Sequence, residues 1–467
     1  LVAGCARSGS GEHAPVFVVV SGDTAGWITP CGCASNQSGG LPRRGSYVAE
    51  LRKSGAVALV DVGGAPGGVS TYQRLKFETL LAGTRLMSLA AHNIGAAEAR
   101  LGAAYLRELA RAQGVPFISA NVRDAAGALV AEPLRVVAVG GRQVAFIGVL
   151  SPQLAPPDVR VDDPREAVLR ALDERKAGRA EGRHGGRSHS DDQAHDDPSY
   201  DVLIVLAYLP EPELRDFAGR LPEADAVIGG PTGQPVPIQQ IGPTLLSSAT
   251  NKGKFLVQLG LPSRGSAGRL RGEIVELSER FGDDVDQERN LVGYLAKLAA
   301  RDFSAAEAGF APPQPAGAPA EFRVAGTETC RACHESEWTT WKLAHHAAAW
   351  QSLKDRGYHV EPYCQQCHTT AYGQPGGFLS ASGSPDRLGV GCETCHGPAA
   401  AHVGDPNTPT PFVPNDQCVR CHDHENSPRF EYATYWPRIE HGPRAASAPA
   451  TTTVDAEPHE PDSAGGS

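Results

Sequence analysis

Methionine is nearly absent from this chain: Met87 is the only one in 467 residues. A metal bound far from it must draw on nitrogen, oxygen or thiol sulfur rather than on a thioether. Aromatic residues are sparse, at 6%. No stretch approaches the roughly 20 consecutive apolar residues that a membrane-spanning helix needs. Positive charge is in deficit, 43 Lys and Arg against 53 Asp and Glu, for a formal net charge of −10. That balance offers no basic face to a nucleic-acid backbone. It suits a soluble protein that docks to a basic partner. Cysteine is missing over the whole span from Cys33 to Cys330.

What is present is concentrated near the C-terminus. Eight of the 11 cysteines fall in four copies of Cys-x-x-Cys-His. They are Cys330, Cys333 and His334; Cys364, Cys367 and His368; Cys392, Cys395 and His396; and Cys418, Cys421 and His422. This is the attachment pattern of c-type haem. The two thiols add to the porphyrin vinyl groups, and the adjacent His becomes the proximal iron ligand. Four copies predict four haem c groups. Zinc ribbons and structural disulfides also use paired cysteines, but neither requires a His directly after each second Cys.

Haem attachment of this kind needs an exported chain. The first residues, Leu1-Val2-Ala3-Gly4-Cys5, resemble a bacterial lipobox, in which the Cys is lipidated after signal cleavage. The expectation is a lipoprotein on the periplasmic face of a Gram-negative-type membrane, anchored through Cys5, with residues 1–14 as leader and tether. The other reading of Cys5 is a free thiol in an unstructured leader.

Residues 15–282 read as an α/β domain. Apolar runs predict buried strands at Val16–Val20, Val57–Val60, Val136–Val139, Val144–Val149, Val202–Leu206, Ala226–Ile228 and Phe255–Leu259. Helical patterns, such as Phe77–Leu89 and Leu101–Ala112, lie between several of them. A Gly-, Arg-, Asp- and His-rich insert at 177–199, carrying His184, His189 and His195, reads as a disordered polar loop. Residues 283–321 read as an amphipathic helix followed by a semi-rigid Pro/Ala linker from Ala305 to Ala320. The haem domain runs from 322 to 443, and a small polar tail occupies 444–467. About 120 residues around four macrocycles cannot also build an ordinary apolar core, so this part is expected to be short helices and loops packed on haem.

The sixth iron ligands follow partly by elimination. Met87 lies in the other domain, which argues against Met ligation. Six His of the haem domain stand outside the motifs: His345, His346, His359, His402, His424 and His441. Two imidazoles favour low potential and close the iron to small molecules.

From about 325 to 443 the chain resembles the cytochrome c-554-type tetrahaem family. Trp341, His346 and Ala349 match that family's W-x-x-x-x-H-x-x-A ligand helix. CETCHGP followed by Ala400-Ala401-His402 matches a second donor, and Tyr435-Trp436 with Ile439 and His441 a third. The resemblance implies His346, His402 and His441 as distal ligands, with His359 the remaining candidate. It also implies that one haem can be left five-coordinate. Electron transfer is the function it carries, with other cytochromes or quinol-linked complexes as partners.

The N-terminal half resembles the 5'-nucleotidase/UDP-sugar hydrolase branch of the metallophosphoesterases, which implies an α/β sandwich. Val60-Asp61-Val62-Gly63-Gly64 stands at the D-x-G-D segment, His92-Asn93 with Glu98 at G-N-H-E, and Ser119-Ala120-Asn121-Val122 at A-N-V. The departures matter more. The second Asp is Gly64, a late ligand His is Tyr208, and G-H-x-H reads Gly230-Pro231-Thr232-Gly233. A two-metal hydrolase holds its ions about 3.5–4 Å apart, and two or three surviving ligands cannot do so. The fold is expected without the hydrolysis. Past the first strand lie Cys31 and Cys33, then Arg43 and Arg44. Two readings of this pair stand: redox or metal-binding thiols activated by the arginines, or a structural disulfide. Three functions therefore compete: an electron-transfer cytochrome, a reductase of a nitrogen or sulfur oxide at an open haem, and a phosphoesterase.

Overall fold

The computed structural model describes residues 14–30, 37–183, 200–263, 268–313, 317, 320–410 and 414–441. Cys5, Cys31, Cys33, His184, His189 and His195 lie outside the described residues.

Two six-stranded sheets form the N-terminal part. The first runs Arg271–Glu276, Phe255–Gly260, Val16–Ser21, Ala56–Asp61, Leu89–Asn93, Phe117–Ile118 in spatial order. The second runs Gln239–Ile241, Thr244–Ser248, Ala226–Gly230, Val202–Tyr208, Arg142–Leu150, Leu134–Val139. The central strands pair parallel in register, for example Val20 with Val60 and Ile204 with Ala226. Strands buried on both faces read as unbroken apolar runs, and Val202–Tyr208 is buried at every residue.

Side-chain alternation divides that strand between two cores. Ile204, Leu206 and Tyr208 join the core between the sheets, with Val18, Val20 and Val60 from the first sheet. Leu203, Val205 and Ala207 face outward, under Val168 and Leu172 of the helix Pro164–Arg183 and Leu214 and Phe217 of the helix Glu211–Gly219. The helices Leu41–Arg52, Thr71–Leu86 and Val285–Arg301 belong with the first sheet.

Two expectations about connecting segments need correction. Residues 177–183 are the last two turns of the helix Pro164–Arg183, so this part of the span read as a polar loop is helical. The Pro/Ala segment is not a spacer at its start. Ala305–Ala308 forms a helical turn with a capping box at Ser304 and Glu307 and a left-handed Gly309 closing it. Ala305 is fully buried beside Tyr372 and Phe378 of the C-terminal part. Alanine composition is ambiguous between spacer and tight packing, and a neighbouring apolar surface decided the outcome.

The C-terminal part is helical and irregular, as expected. Its elements are short: Glu335–Leu343 is nine residues, Pro362–His368 seven, and Cys392–His396 five. Among the described residues none of its helices shows a continuous buried stripe, and Leu343 is 85% exposed. Among the described residues no helix is long and apolar enough to cross a membrane.

Candidate functional site

The four Cys-x-x-Cys-His motifs sit at or beside helix ends, where backbone turns present Cys and His to one side. Cys330 closes the turn Thr327–Cys330, and His334 begins the helix Glu335–Leu343. Trp341 on that helix donates its indole N–H to the Val390 carbonyl at 2.8 Å, and the Val390 N–H donates to His346 O at 2.9 Å. These two bonds pin His346 beside the third motif.

Three histidine pairs face each other across gaps of similar width. His334 and His402 have ring centres 6.2 Å apart and planes 30° from parallel. His346 and His422 stand 6.2 Å apart, and His396 and His441 6.0 Å. Two imidazoles bound through nitrogen to one metal, each at about 2.0 Å, bring their ring centres to roughly 6 Å. The spacing therefore fits an iron held between each pair. Several of these rings also have Nδ1 turned toward protein. His402 meets Thr408 O at 2.8 Å, His441 meets Ile439 O at 2.7 Å, and His422 meets Ser427 Oγ at 3.1 Å. That leaves Nε2 as the ring nitrogen available to a metal, as second-shell partners do for metal-bound His. Burial pulls the pKa of His346, His396 and His422 down, which favours the neutral, ligating imidazole.

The fourth motif histidine, His368, is oriented in the same way, with Nδ1 2.8 Å from Ala349 O. Among the described residues no His ring faces it across such a gap. His359, the remaining candidate, lies edge-on to Trp350 at 5.9 Å. His424 is 90% exposed at its side chain and lies 3.9 Å from Glu425.

Among the described residues no three His, Cys, Asp or Glu side chains converge as a metal site would require. Thiols of different motifs approach one another. The Cys330 thiol meets Cys392, and the Cys421 thiol meets Cys367. Burial pushes the Cys395 thiol up to about 11, with Cys418 and Cys421 nearby.

In the N-terminal part the retained hydrolase-like residues are all committed elsewhere. Asp61 accepts from Ser21 Oγ at 2.5 Å and from the Gly63 N–H at 2.8 Å. Asn93 donates to Val62 O and Val149 O at 2.9 and 3.0 Å. His92, expected near the site, is a core residue. It is fully buried between Phe77 and Phe117, with Nε2 3.0 Å from Glu98. Glu98 in turn accepts from Gly64 N, Ala65 N and Gly95 N.

Two buried side chains, Tyr208 and Arg44, crowd the region around Asp61 and Gly64. A Cβ built on Gly64 would lie 2.6 Å from the Tyr208 ring, so the phenol takes the room of the missing Asp side chain. Arg44 is completely buried, donates to Thr24 Oγ1 at 3.3 Å, and has its charge compensated by Asp61. The sequence placed Arg44 near the cysteines only as a thiol activator. Its companion Arg43 bonds the Gln37 carbonyl. Nothing in a sequence distinguishes a buried arginine from an exposed one when both follow a glycine-rich turn.

Two predictions follow from this geometry. Full-length protein supplied with Mn²⁺ or Zn²⁺ should release no phosphate from nucleotides or bis-aryl phosphates above the metal-only blank; metal-dependent turnover would overturn the plugged-site description. The His92–Glu98 pair also makes stability pH-dependent. Burial lowers the His92 pKa, but the Asp61 charge and the Glu98 hydrogen bond outweigh it and raise it above the usual value. The folded state therefore holds a proton that the unfolded chain has released. This contribution is full below about pH 6.5 and is lost as pH rises through the higher folded value. The urea midpoint of the N-terminal part should fall across that window, and His92→Gln should flatten the fall.

Comparison with known proteins divides the chain at the same place. Residues 329–397 match the family model described as cytochrome c554 and c-prime. Cytochrome c-554 of Nitrosomonas europaea is 35% identical over 95 residues, which covers 17% of this chain and 40% of that protein. The chain thus spans less than half the length of that relative. A calcineurin-like phosphoesterase of Bacillus subtilis superposes with a TM-score of 0.50 at 15% identity, over 61% of this chain and 97% of that one. The 5'-nucleotidase precursor of Thermus thermophilus gives 0.49 at 20% identity, over 61% and 59%. The N-terminal part has the metallophosphoesterase fold, and the C-terminal part is a helical cytochrome c554-like region.

Proposed function

We propose that this protein is an exported multihaem cytochrome that transfers electrons through four covalently bound haem c groups, and that its phosphoesterase-like part is non-hydrolytic. The observation that carries the reading is the set of three His pairs at 6.0–6.2 Å, each joining a motif His to a His distant in sequence. In this reading the eight motif cysteines hold the porphyrins, and His334, His368, His396 and His422 are the proximal ligands. His402, His346 and His441 are distal ligands opposite His334, His422 and His396. The haem irons, when bound, supply one-electron oxidation and reduction. The chain's own part is to hold each imidazole neutral and aimed, and to bring the motifs close together. The approach of Cys330 to Cys392, of Cys395 to Cys418 and Cys421, and of Cys421 to Cys367 supports motifs packed close together.

The proposal extends to location. Haem c attachment fits a periplasmic protein, and the Leu1–Cys5 pattern fits a lipid anchor at Cys5. Redox proteins such as other cytochromes or quinol-linked complexes fit as partners. Electron paramagnetic resonance of the ferric protein, with the intact mass, tests the core of this. The expected result is four haems by mass, three bis-histidine low-spin irons, and one distinct iron at His368. Bare polypeptide mass would defeat the proposal.

The second reading, a reductase of a small nitrogen or sulfur oxide, is favoured by the absence of a facing His at His368 among the described residues. An iron left open there would bind nitric oxide in the reduced protein. A spectrum unchanged by nitric oxide would remove that reading and leave electron transfer alone.

A further inference from the structure

The two halves of the chain meet around one buried carboxylate. Glu361 caps the helix Pro362–His368, accepting from the Tyr363 N–H at 3.4 Å, and its side chain is only 7% exposed. That helix carries Cys364, Cys367 and His368, and the Cys364 N–H donates to the Glu361 carbonyl at 2.9 Å. The carboxylate thus lies one helical turn from the first attachment thiol of the second motif.

Its partners come from the other half. Tyr294, on the helix Val285–Arg301, donates its hydroxyl to Glu361 Oε2 at 2.8 Å. Tyr72, on the helix Thr71–Leu86, donates to Oε1. Lys76 Nζ stands 3.8 Å from Oε1 and donates to the Tyr72 hydroxyl at 3.1 Å. Tyr72 is 0% and Tyr294 3% exposed. Burial, reinforced by the Glu361 charge, pushes both phenols well above their usual range, so they stay neutral donors. With donors on every side, Glu361 acts only as an acceptor, as an ionised carboxylate does.

A buried carboxylate, only partly offset by Lys76 at 3.8 Å, acts over a longer range than one in water. Next to a redox iron it stabilises the ferric over the ferrous state, which is how burial and second-shell groups set haem potential. Each hydroxyl that hydrogen-bonds the carboxylate spreads its charge and weakens that effect.

We propose that Glu361 is a positioning and potential-setting residue for the haem held by Cys364, Cys367 and His368, and that Tyr72 and Tyr294 let the phosphoesterase-like half moderate its potential. The proposal rests on the haem reading above. It assigns the non-hydrolytic half a role that requires no catalysis of its own: it forms the electrostatic wall of the haem that lacks a facing histidine.

Spectroelectrochemical titration of the full-length holoprotein tests it. Glu361→Gln keeps the shape and removes the charge, so one of the four midpoint potentials should move positive while the other three stay. Tyr294→Phe keeps the charge and removes a donor, so the same midpoint should move negative. If Glu361→Gln fails to fold, the Tyr294→Phe shift alone decides. Four bound haems with unmoved potentials, all four moving together, or both variants shifting in the same direction would overturn the proposal and leave the haem reading intact. Protein lacking covalent haem would overturn both.

Discussion

Replacing His402 with methionine should raise the reduction potential of one haem and leave all four haems attached. His402 faces His334 at 6.2 Å and plays no part in a Cys-x-x-Cys-His motif, so thioether formation does not depend on it. Its Nδ1 contact to Thr408 O is a backbone interaction at the surface of the fold, and its loss is minor. Exchange of one imidazole for a thioether sulfur raises potential, and axial ligation spans roughly 0.8 V across haem proteins. A shift on the order of tenths of a volt in one voltammetric wave is the expected outcome. His424→Met is the control: that side chain is 90% exposed and faces no other His among the described residues, so its voltammogram should match the wild type. A His402→Met protein with four unchanged waves would remove His402 from the ligand set.

The second large effect is expected in the other half, where Arg44→Met should destabilise the sandwich by about 3–5 kcal/mol. Arg44 is wholly buried beside the Asp61 charge, and two of its nitrogens, Nε and Nη1, have no hydrogen-bond partner among the described residues. Removing a buried charge from a compensated pair strands its partner, and that stranded charge is the main cost. Asp61 would keep its bonds from Ser21 and Gly63 but lose the cation that offsets it. The double change Arg44→Met with Asp61→Asn should recover much of the loss, since no net charge would then remain buried. Denaturant unfolding of the full-length holoprotein gives both numbers, with the haem absorbance as an independent monitor of the C-terminal part. A single-variant loss below about 1 kcal/mol would mean that Arg44 is solvated in solution.

Both predictions concern residues whose roles differed in how far the sequence revealed them. His402 is singled out through the resemblance of the segment after CETCHGP to a c-554-type ligand pattern, and the fold brings its ring to 6.2 Å from that of His334. The apolar runs at Val202–Leu206 and Val144–Val149 were legible because strands buried on both faces leave no polar positions to confuse the pattern. The strand Leu89–Asn93 was not, because its polar end at His92 and Asn93 reads as site chemistry. Only burial between Phe77 and Phe117 shows that His92 serves the core. Tyr208 could be seen as a missing ligand, but not as the ring that occupies the space beside Gly64.

By itself, the sequence determined where the four Cys-x-x-Cys-His motifs lie. The proposed haem attachment is read from contiguous residues, because two thiols and a histidine would have to reach one porphyrin from one turn of chain. Tertiary structure alone decided which histidines stand near one another, since partners such as His346 and His422 come from separate segments. It also decided that Arg44 is buried, that the Tyr208 ring sits against Gly64, and that Glu361 meets Tyr72 and Tyr294 across the join. Those outcomes depend on distance through space and on exclusion of water, and no local stretch of residues encodes either one.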